Sequence, residues 1–250
     1  VDADSGGTGP GGTQTFVLLQ RGAPLPAELP DRSRLVRVPI DRMWDGGHSL
    51  LSAAELLGRS EIVAGWVYQP PGINYLPRLA TRQESVSELS YRQLADEEEV
   101  LHVLDARPDV FFFYDETVRT VSLANAGLPC VYFDPFNEHP LGSAEQLKFL
   151  SLFTNQEALA NTIFEGIERR YLKLRELVSS QPSRRRVLIG RVKDGEWESR
   201  SGVWMRSQLL ADAGGDDILD GIEPLRPAPT SWTGPAFDLD SVLALSAQAD

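Results

Sequence analysis

Residues 143–180 read SAEQLKFLSLFTNQEALANTIFEGIERRYLKLRELVSS and carry a long helical pattern. Ser143 followed by Gln146 is a capping box, so a helix can begin here with its first amides satisfied. Apolar residues then recur with a period of 3.6 as far as Val178. Counted from Asn155, the helix would be roughly 35–40 Å long at 1.5 Å per residue. We expect a rod that joins two lobes, although an ordinary surface helix on one domain would show the same pattern.

The composition is that of a globular protein and narrows the classes of partner. The 250 residues are 42% hydrophobic, enough for one large domain or two small ones. The formal net charge of −12 argues against nucleic acid as a partner, because phosphate binding needs a basic surface. No apolar run approaches the length of a membrane span. The single cysteine, Cys130, excludes an intramolecular disulfide and leaves the compartment open.

The first residues, VDADSGGTGPGG, contain five glycines and little that could form a core. We expect residues 1–14 to be a flexible segment rather than part of a domain. No signal peptide precedes them in this sequence. A periplasmic protein or a membrane-anchored lipoprotein trimmed of its leader would begin in this way, and so would any trimmed chain.

The order of the remaining elements predicts two α/β lobes. Short apolar strands alternate with helices over residues 15–142, and the strand–helix–strand order of residues 35–66 predicts a parallel sheet. A second alternation occupies residues 183–250, so the helical stretch 143–182 lies between the two. A parallel sheet would need another strand after the predicted helix at 239–247. The second lobe is therefore expected to be incomplete.

Few residues in the chain resemble a catalytic or metal-binding motif. It has neither a glycine-rich phosphate loop nor a nucleophile elbow. His48 and His139 follow predicted strands, and with nearby carboxylates they could form a zinc or manganese site, although no ligand-spacing motif supports it. Those carboxylates are Asp45, Asp115, Asp134 and Glu138. His102 lies on a predicted helix among apolar residues, which favours a structural role.

Large aromatic side chains and arginines gather in the predicted loops. Loops at the carboxyl ends of parallel strands are where α/β folds bind ligands, and exposed tryptophans are unfavourable unless something covers them. The same residues could instead fill an interface between lobes. The candidate ligand-binding residues are Arg42, Trp44, Tyr68, Tyr75, Trp197, Arg200, Trp204 and Arg206.

Several short segments follow one another in a fixed order along the chain. They are residues 62–65 (IVAG) after Gly58, 107–110 (RPDV), 126–131 (AGLPCV), 140–145 (PLGSAE) and 208–215 (QLLADAGG) after Ser201 and Gly202. In their order and spacing they resemble one family, the substrate-binding proteins of ABC importers that capture cobalamin, ferric siderophores or haem. The resemblance covers residues 33–250.

The resemblance implies a non-catalytic, monomeric protein outside the cytoplasm, built from two Rossmann-like lobes with parallel sheets bridged by one long helix. A metal chelate (ferric siderophore, haem or cobalamin) would bind in the cleft between the lobes. The protein would dock on membrane permease subunits through one acidic residue on each lobe. Matching positions are Asp212 in the second lobe and, in the first, Glu97, Glu98 or Glu99, although a solvated helix start explains these glutamates nearly as well.

Two alternatives to a chelate carrier remain open. The first is a zinc or manganese carrier of the related branch, which would use His48 and His139. The second is a component of a metallocofactor enzyme, since similar sheets with clefts occur there. Such enzymes generally hold clusters through several cysteines, and this chain has only Cys130.

Overall fold

The computed structural model describes residues 15–27, 34–46, 50–67, 75–89, 97–114, 120–133, 139–181, 183–199, 204–228 and 234–247. These residues divide into two compact units. Unit 1 comprises Val1–Pro135 and Glu145–Phe164, and unit 2 comprises Phe136–Ala144 and Glu165–Asp250. Within the described ranges, no helix combines the length and the apolar character that crossing a membrane requires.

Unit 1 is built on a parallel five-stranded sheet. Its strands are β3 (Met43–Asp45), β4 (Val63–Val67), β5 (Ser87–Leu89), β6 (Val110–Phe113) and β7 (Cys130–Tyr132). They lie in the order β5-β4-β3-β6-β7, and every neighbouring pair is parallel. A separate parallel pair consists of β1 (Val17–Gln20) and β2 (Leu35–Val38). The parallel α/β architecture expected from the sequence is therefore confirmed.

Both faces of the five-stranded sheet are buried by apolar clusters. Strands β3, β4, β6 and β7 each contribute to both clusters, because side chains along a strand alternate between the two faces of the sheet. Phe112 and Trp66 belong to one apolar cluster, which also includes residues of helix α1 (Leu51–Leu56). Trp44 and Phe111 belong to a second cluster with Val103 and Leu123, which lie on α3 (Glu97–Asp105) and α4 (Thr120–Asn125). Burial on both sides explains why β6 reads as the uninterrupted apolar run VFFF.

The long helical stretch forms two helices rather than one. Helix α5 spans Pro140–Thr154 and helix α6 spans Glu157–Ser179. Between them Asn155 has a φ of 54°, and its side-chain amide exchanges two hydrogen bonds with that of Gln20. A left-handed residue cannot continue an α-helix, so the stretch ends one helix and starts another. At 1.5 Å per residue, the 23 residues of α6 extend about 35 Å.

Unit 2 combines a parallel and an antiparallel sheet. Strands β8 (Arg185–Val187) and β11 (Gly215–Asp217) are parallel. Strands β9 (Gly190–Lys193), β10 (Glu196–Ser199) and β12 (Ala236–Asp238) form an antiparallel sheet in the order β12-β10-β9. Asp194 and Gly195, a dipeptide typical of tight turns, connect β9 to β10, with both residues at positive φ. The sequence did not indicate this antiparallel sheet.

The remaining helices complete the two units. In unit 1 the four-residue helix α2 (Pro77–Ala80) precedes β5. In unit 2 helix α7 (Trp204–Asp212) leads into β11, and helix α8 (Leu239–Ser246) follows β12 directly. Asp238 accepts a 2.8 Å hydrogen bond from the amide of Ser241, which makes it the N-cap of α8.

The predicted βαβ unit contains a different first strand. We expected β2 to precede α1, but β2 pairs only with β1 among the described strands. The strand that pairs with β4 is β3, which the sequence analysis assigned to a loop. Three residues are too few to show a clear two-residue alternation, so β3 leaves little trace in the sequence.

Candidate functional site

The order of the strands in unit 1 identifies one point where a ligand site is expected. The chain runs outward from β3 through β4 to β5, then returns to the other side of β3 with β6 and β7. The direction of winding therefore reverses between β3 and β6. In open α/β sheets, ligands bind outside the carboxyl ends of the strands at such a reversal. We call this place the switch-point edge. It consists of Asp45 and Gly46 at the end of β3 and of Phe113 and Tyr114 at the end of β6.

At the end of β3 the backbone is held close to β6. The amide of Gly46 donates a 2.8 Å hydrogen bond to the carbonyl of Phe112. A Cβ built on Gly46 would lie only 2.8 Å from the same oxygen, so only glycine fits here without a shift of the backbone. The carboxylate of Asp45 is buried and accepts a 3.0 Å hydrogen bond from the amide of Leu50. Asp45 thus fixes the connection between β3 and α1.

Aromatic side chains follow along the carboxyl ends of β6 and β7. Phe113 and Tyr132 are paired in register and meet edge to face, with ring centroids 5.6 Å apart. Tyr114 and Phe133 are the next residues of the two chains, and both are half-buried. Phe133 stacks on Phe149 of α5 at 4.9 Å. Phe113 and Tyr132 pack in the cluster with Trp44, and Phe133 and Phe149 pack in the cluster with Phe112, so aromatic rings lie on both faces of the sheet at this edge.

The switch-point edge is not evident in the sequence, because β3 is too short to be recognised there. Tyr114 and Tyr132 are not among the residues predicted to bind a ligand. The reversal of strand order could have indicated this edge. However, the order of strands can be inferred from a sequence only after every strand has been identified. Each of β3, β4, β5, β6 and β7 is followed by a segment outside the described residues, so the edge is defined here by its strand ends alone.

Trp44 is a core residue and not an exposed loop residue as predicted. It lies in β3 with 0% of its surface exposed, among Phe111, Val103 and Leu123. Its ring meets that of His102 edge to face at 6.1 Å. The prediction was wrong because Trp44 sits on the strand that the sequence did not reveal. His102 is exposed on α3, and the structural role predicted for it is represented by this ring contact with Trp44.

Arg42 lies at the opposite edge of the sheet from the one expected. It precedes β3, so it belongs to the amino ends of the strands. Its Nε donates a 2.7 Å hydrogen bond to the carbonyl of Ala106, and its own carbonyl accepts from the amide of Asp109. The guanidinium therefore ties the start of β3 to the turn before β6. The expectation of a carboxyl-edge position for Arg42 is wrong.

Of the predicted second-lobe residues, the structure describes the side chains of Trp197 and Arg206. Trp197 lies in β10 rather than in a loop, half-buried against the small core of Ile218, Phe237 and Val242. Arg206 is exposed on α7, which begins at Trp204. In unit 1, Tyr75 is 88% exposed. Tyr68, Arg200 and the side chain of Trp204 lie outside the described residues, and their contact with a ligand stays a prediction.

The histidine site of the alternative hypothesis is only partly described. His139 is exposed just before α5, and its Nδ1 accepts a 3.3 Å hydrogen bond from the amide of Gly142. His48 and the carboxylates Asp115, Asp134 and Glu138 lie outside the described residues. Among the described residues, no group of three or more His, Cys, Asp or Glu side chains could hold a metal ion.

The structure describes the side chain at the predicted docking position of unit 2 and not those at the position of unit 1. Glu97, Glu98 and Glu99 form the first turn of α3, and their side chains lie outside the described part. Asp212 is half-buried at the end of α7. Its Oδ2 accepts a 2.6 Å hydrogen bond from the hydroxyl of Tyr171, and its Oδ1 accepts a 2.9 Å bond from Gln208. An arginine of another protein would compete with these bonds.

Unit 2 contains a hollow of about 450 Å³ beneath α7. Apolar side chains, among them Leu210, Leu219 and Phe237, line it together with Asp216 and Asp220 at the rim. Asp216 is paired with Arg184 at 2.5 Å. The volume would admit a small organic group, but the described residues show no convergent polar contacts that would select one.

Comparisons with known proteins identify the fold through structure alone. No protein-family model matches the chain, and no curated protein matches its sequence. Three solved structures illustrate the similarity. The periplasmic vitamin B12-binding protein of Vibrio cholerae is 13% identical with a TM-score of 0.56, over 83% of this chain and 74% of that one.

The second is the ABC-type Fe³⁺-hydroxamate transport protein of Saccharomonospora viridis, 15% identical with a TM-score of 0.55, over 83% of this chain and 71% of that one. The third is a periplasmic haem-binding protein of Pseudomonas aeruginosa, 17% identical with a TM-score of 0.56, over 82% and 69% of the two chains. The chain has the fold that these solute-binding proteins share.

Proposed function

We propose that the protein is the substrate-binding component of an ABC importer and that it captures a bulky metal chelate. The single observation that carries the proposal is the shared fold, which extends over more than four-fifths of this chain in each of the three structures. Those proteins are named for vitamin B12, a ferric hydroxamate and haem. All three ligands are metal chelates, so the chelate is their common chemical feature. The protein itself performs no catalysis.

We propose the switch-point edge as the part of unit 1 that contacts the chelate. A large chelate offers an extended apolar surface, and burying such a surface against aromatic rings is favourable. Tyr114 is half-buried at the end of β6, and Tyr132 packs on Phe113 in the next strand. Rigid strands with buried faces hold these rings in place, so little order would have to be gained on binding. Tyr68, Tyr75, Arg200, Trp204 and Arg206 remain proposed contacts from the loops and from unit 2.

The proposed partners are the membrane permease subunits of the importer. Docking through Asp212 and one of Glu97, Glu98 and Glu99 stays part of the proposal. Charge reversal at these positions should weaken transporter engagement and leave chelate affinity nearly unchanged. Because Asp212 also holds Tyr171, Asp212→Lys must be compared with Tyr171→Phe, which disturbs the same contact without reversing a charge. If Tyr171→Phe weakens transporter engagement as much as Asp212→Lys does, the loss comes from breaking the Tyr171–Asp212 hydrogen bond and not from reversing a docking charge.

The test of function is a titration of intrinsic tryptophan fluorescence with cobalamin, haem and a ferric hydroxamate. Zn²⁺ and Mn²⁺ are titrated beside them. We expect quenching by one chelate, and we expect Tyr114→Ala to weaken its affinity by about tenfold, or about 1.4 kcal/mol. Val121→Ala, which alters a side chain 72% exposed on α4, is the control and should bind like the parent.

Two outcomes of this titration would redirect the assignment. Tight Zn²⁺ or Mn²⁺ binding that disappears in His48→Ala or His139→Ala, with no response to any chelate, would establish the divalent-metal carrier instead. Chelate binding that Tyr114→Ala leaves unchanged would keep the carrier function and place the contact away from the switch-point edge.

A further inference from the structure

The part of α6 that belongs to unit 2 exposes leucines on a helix that is otherwise strongly charged. Every residue from 172 to 177 is exposed, and only Tyr171 and Val178 on either side are half-buried. Leu174 and Leu177 have 62% and 53% of their surface exposed, and Leu172 has 39%. Exposed leucines within one helical segment favour an interaction with something outside the described chain.

One face of this segment is both basic and apolar. Arg170, Lys173, Leu174 and Leu177 follow the spacing i, i+3, i+4 and i+7, which places them on one side of the helix. We call these four residues the α6 basic face. By the same geometry, Glu165, Glu168 and Glu176 lie on the other side. The Nε of Arg170 donates a 3.0 Å hydrogen bond to the carbonyl of Gly166, which holds that side chain along the helix.

The charge of the α6 basic face contrasts with that of the protein. Residues 165–179 of α6 contain four arginines and lysines against three glutamates, whereas the whole chain has a formal net charge of −12. Within the described residues, no carboxylate forms an ion pair with Arg170 or Lys173. An anionic partner would therefore find both cations without a competing ion pair.

We propose that the α6 basic face rests on a surface of anionic lipid headgroups. Cations would pair with the phosphates while the two leucines enter the apolar boundary below them, which is the behaviour of basic amphipathic helices. Because the rest of the chain is acidic and repelled by such a surface, contact would be confined to this face and would orient the protein on the membrane.

The inference goes beyond the proposed function, and its test needs neither chelate nor transporter. The parent protein is sedimented with vesicles of equimolar phosphatidylglycerol and phosphatidylcholine, and with vesicles of phosphatidylcholine alone. We expect binding to the anionic vesicles only. We also expect binding to weaken as salt shortens the Debye length from about 30 Å at 0.01 M to about 8 Å at 0.15 M.

Two double variants, each replacing one cation and one leucine, distinguish the α6 basic face from the opposite side of the helix. K173Q/L177S removes one cation and one leucine from the α6 basic face, and we expect it to lose at least about fivefold in affinity, since one basic residue near such a surface contributes about 1 kcal/mol. R175Q/L172S makes the same change on the other side of the helix and should bind within about twofold of the parent. Circular dichroism melting confirms that both variants are folded.

Three results would overturn the inference. Equal sedimentation with neutral and anionic vesicles would show that headgroup charge plays no part. An equal loss in R175Q/L172S and K173Q/L177S would show that net charge matters and the face does not. Absence of vesicle binding, with capture of an acidic peptide that K173Q/L177S abolishes, would assign the face to a protein partner instead.

Discussion

Gly65 of β4 lies directly against the indole ring of Trp44 in β3, and a Cβ at position 65 would lie 2.5–2.6 Å from three atoms of that ring. The two residues are paired in register in adjacent parallel strands. The absence of a side chain at Gly65 therefore makes room for the largest side chain of the neighbouring strand. Both residues sit beside the switch-point edge, so this packing fixes the strand that carries Asp45.

The first prediction is that Gly65→Ala destabilises the protein. The new methyl group would overlap the Trp44 ring, and overpacking of this kind costs about 1–3 kcal/mol. Gly166→Ala is the matched control, because a Cβ there would meet nothing within 4 Å. On a helix interior that change should stabilise by about 0.5–1 kcal/mol. Urea denaturation of the two variants measures both effects, and equal stabilities would contradict the packing described here.

The second prediction concerns Trp44 itself. Trp44→Ala should lower the free energy of unfolding by about 3–5 kcal/mol, because a fully buried indole leaves a cavity in the cluster with Phe111 and Leu123. The exposed Val121→Ala should stay within about 0.5 kcal/mol of the parent. Chemical denaturation followed by circular dichroism gives the comparison. If Trp44→Ala were as stable as the parent, the burial of Trp44 would be contradicted, and Trp44 would again be a candidate for ligand contact.

The third prediction concerns the alkaline titration of Tyr171. Burial raises the pKa of Tyr171 from 10.0 to about 12, with further contributions from the hydrogen bond to Asp212 and from the charge of that carboxylate. Since the folded-state pKa is the higher one, the associated stability is fully present below pH 10 and is lost as the pH rises through about 12. Ultraviolet titration should show a late-ionising tyrosine that is missing in Tyr171→Phe.

Asp212→Asn provides the control for this titration. It removes the negative charge but keeps a side chain of the same size, so the pKa of Tyr171 should fall only part of the way toward 10.0, because burial remains. An unchanged titration in Asp212→Asn would mean that the hydroxyl and the carboxylate do not interact in solution.

The fourth prediction concerns the reactivity of Cys130. Burial raises the pKa of this thiol from 9.0 to about 12, and the Sγ donates to the carbonyl of Leu128 at 3.4 Å. Only the thiolate is nucleophilic, so at neutral pH the folded protein should be alkylated about a thousandfold more slowly than an ordinary thiol. Iodoacetamide labelling followed by mass spectrometry measures the rate. Protein unfolded in urea should react at the ordinary rate, and rapid labelling without denaturant would show that β7 opens readily.

Much of the secondary structure could be predicted because it rests on local signals. The helices at Leu51–Leu56 and Thr120–Asn125 are each followed by a glycine at positive φ, Gly58 and Gly127, and a glycine after an apolar helical run is a stop signal that can be read from sequence. The candidate site could not be predicted in the same way. The loop predicted for Arg42 and Trp44 is in fact interrupted by β3, which contains Trp44 and is too short, at three residues, to be recognised in the sequence.

The sequence by itself determined that unit 1 has a sheet buried on both faces, since the run VFFF at Val110–Phe113 has no polar side to present to water. It also determined the helical character of residues 157–179, which follows from their period of 3.6. Only the tertiary structure decided that β3 lies between β4 and β6 and that the winding reverses there. Pairing of strands depends on backbone hydrogen bonds between residues distant in the chain, such as Gly46 to Phe112, and no local pattern of side chains records them.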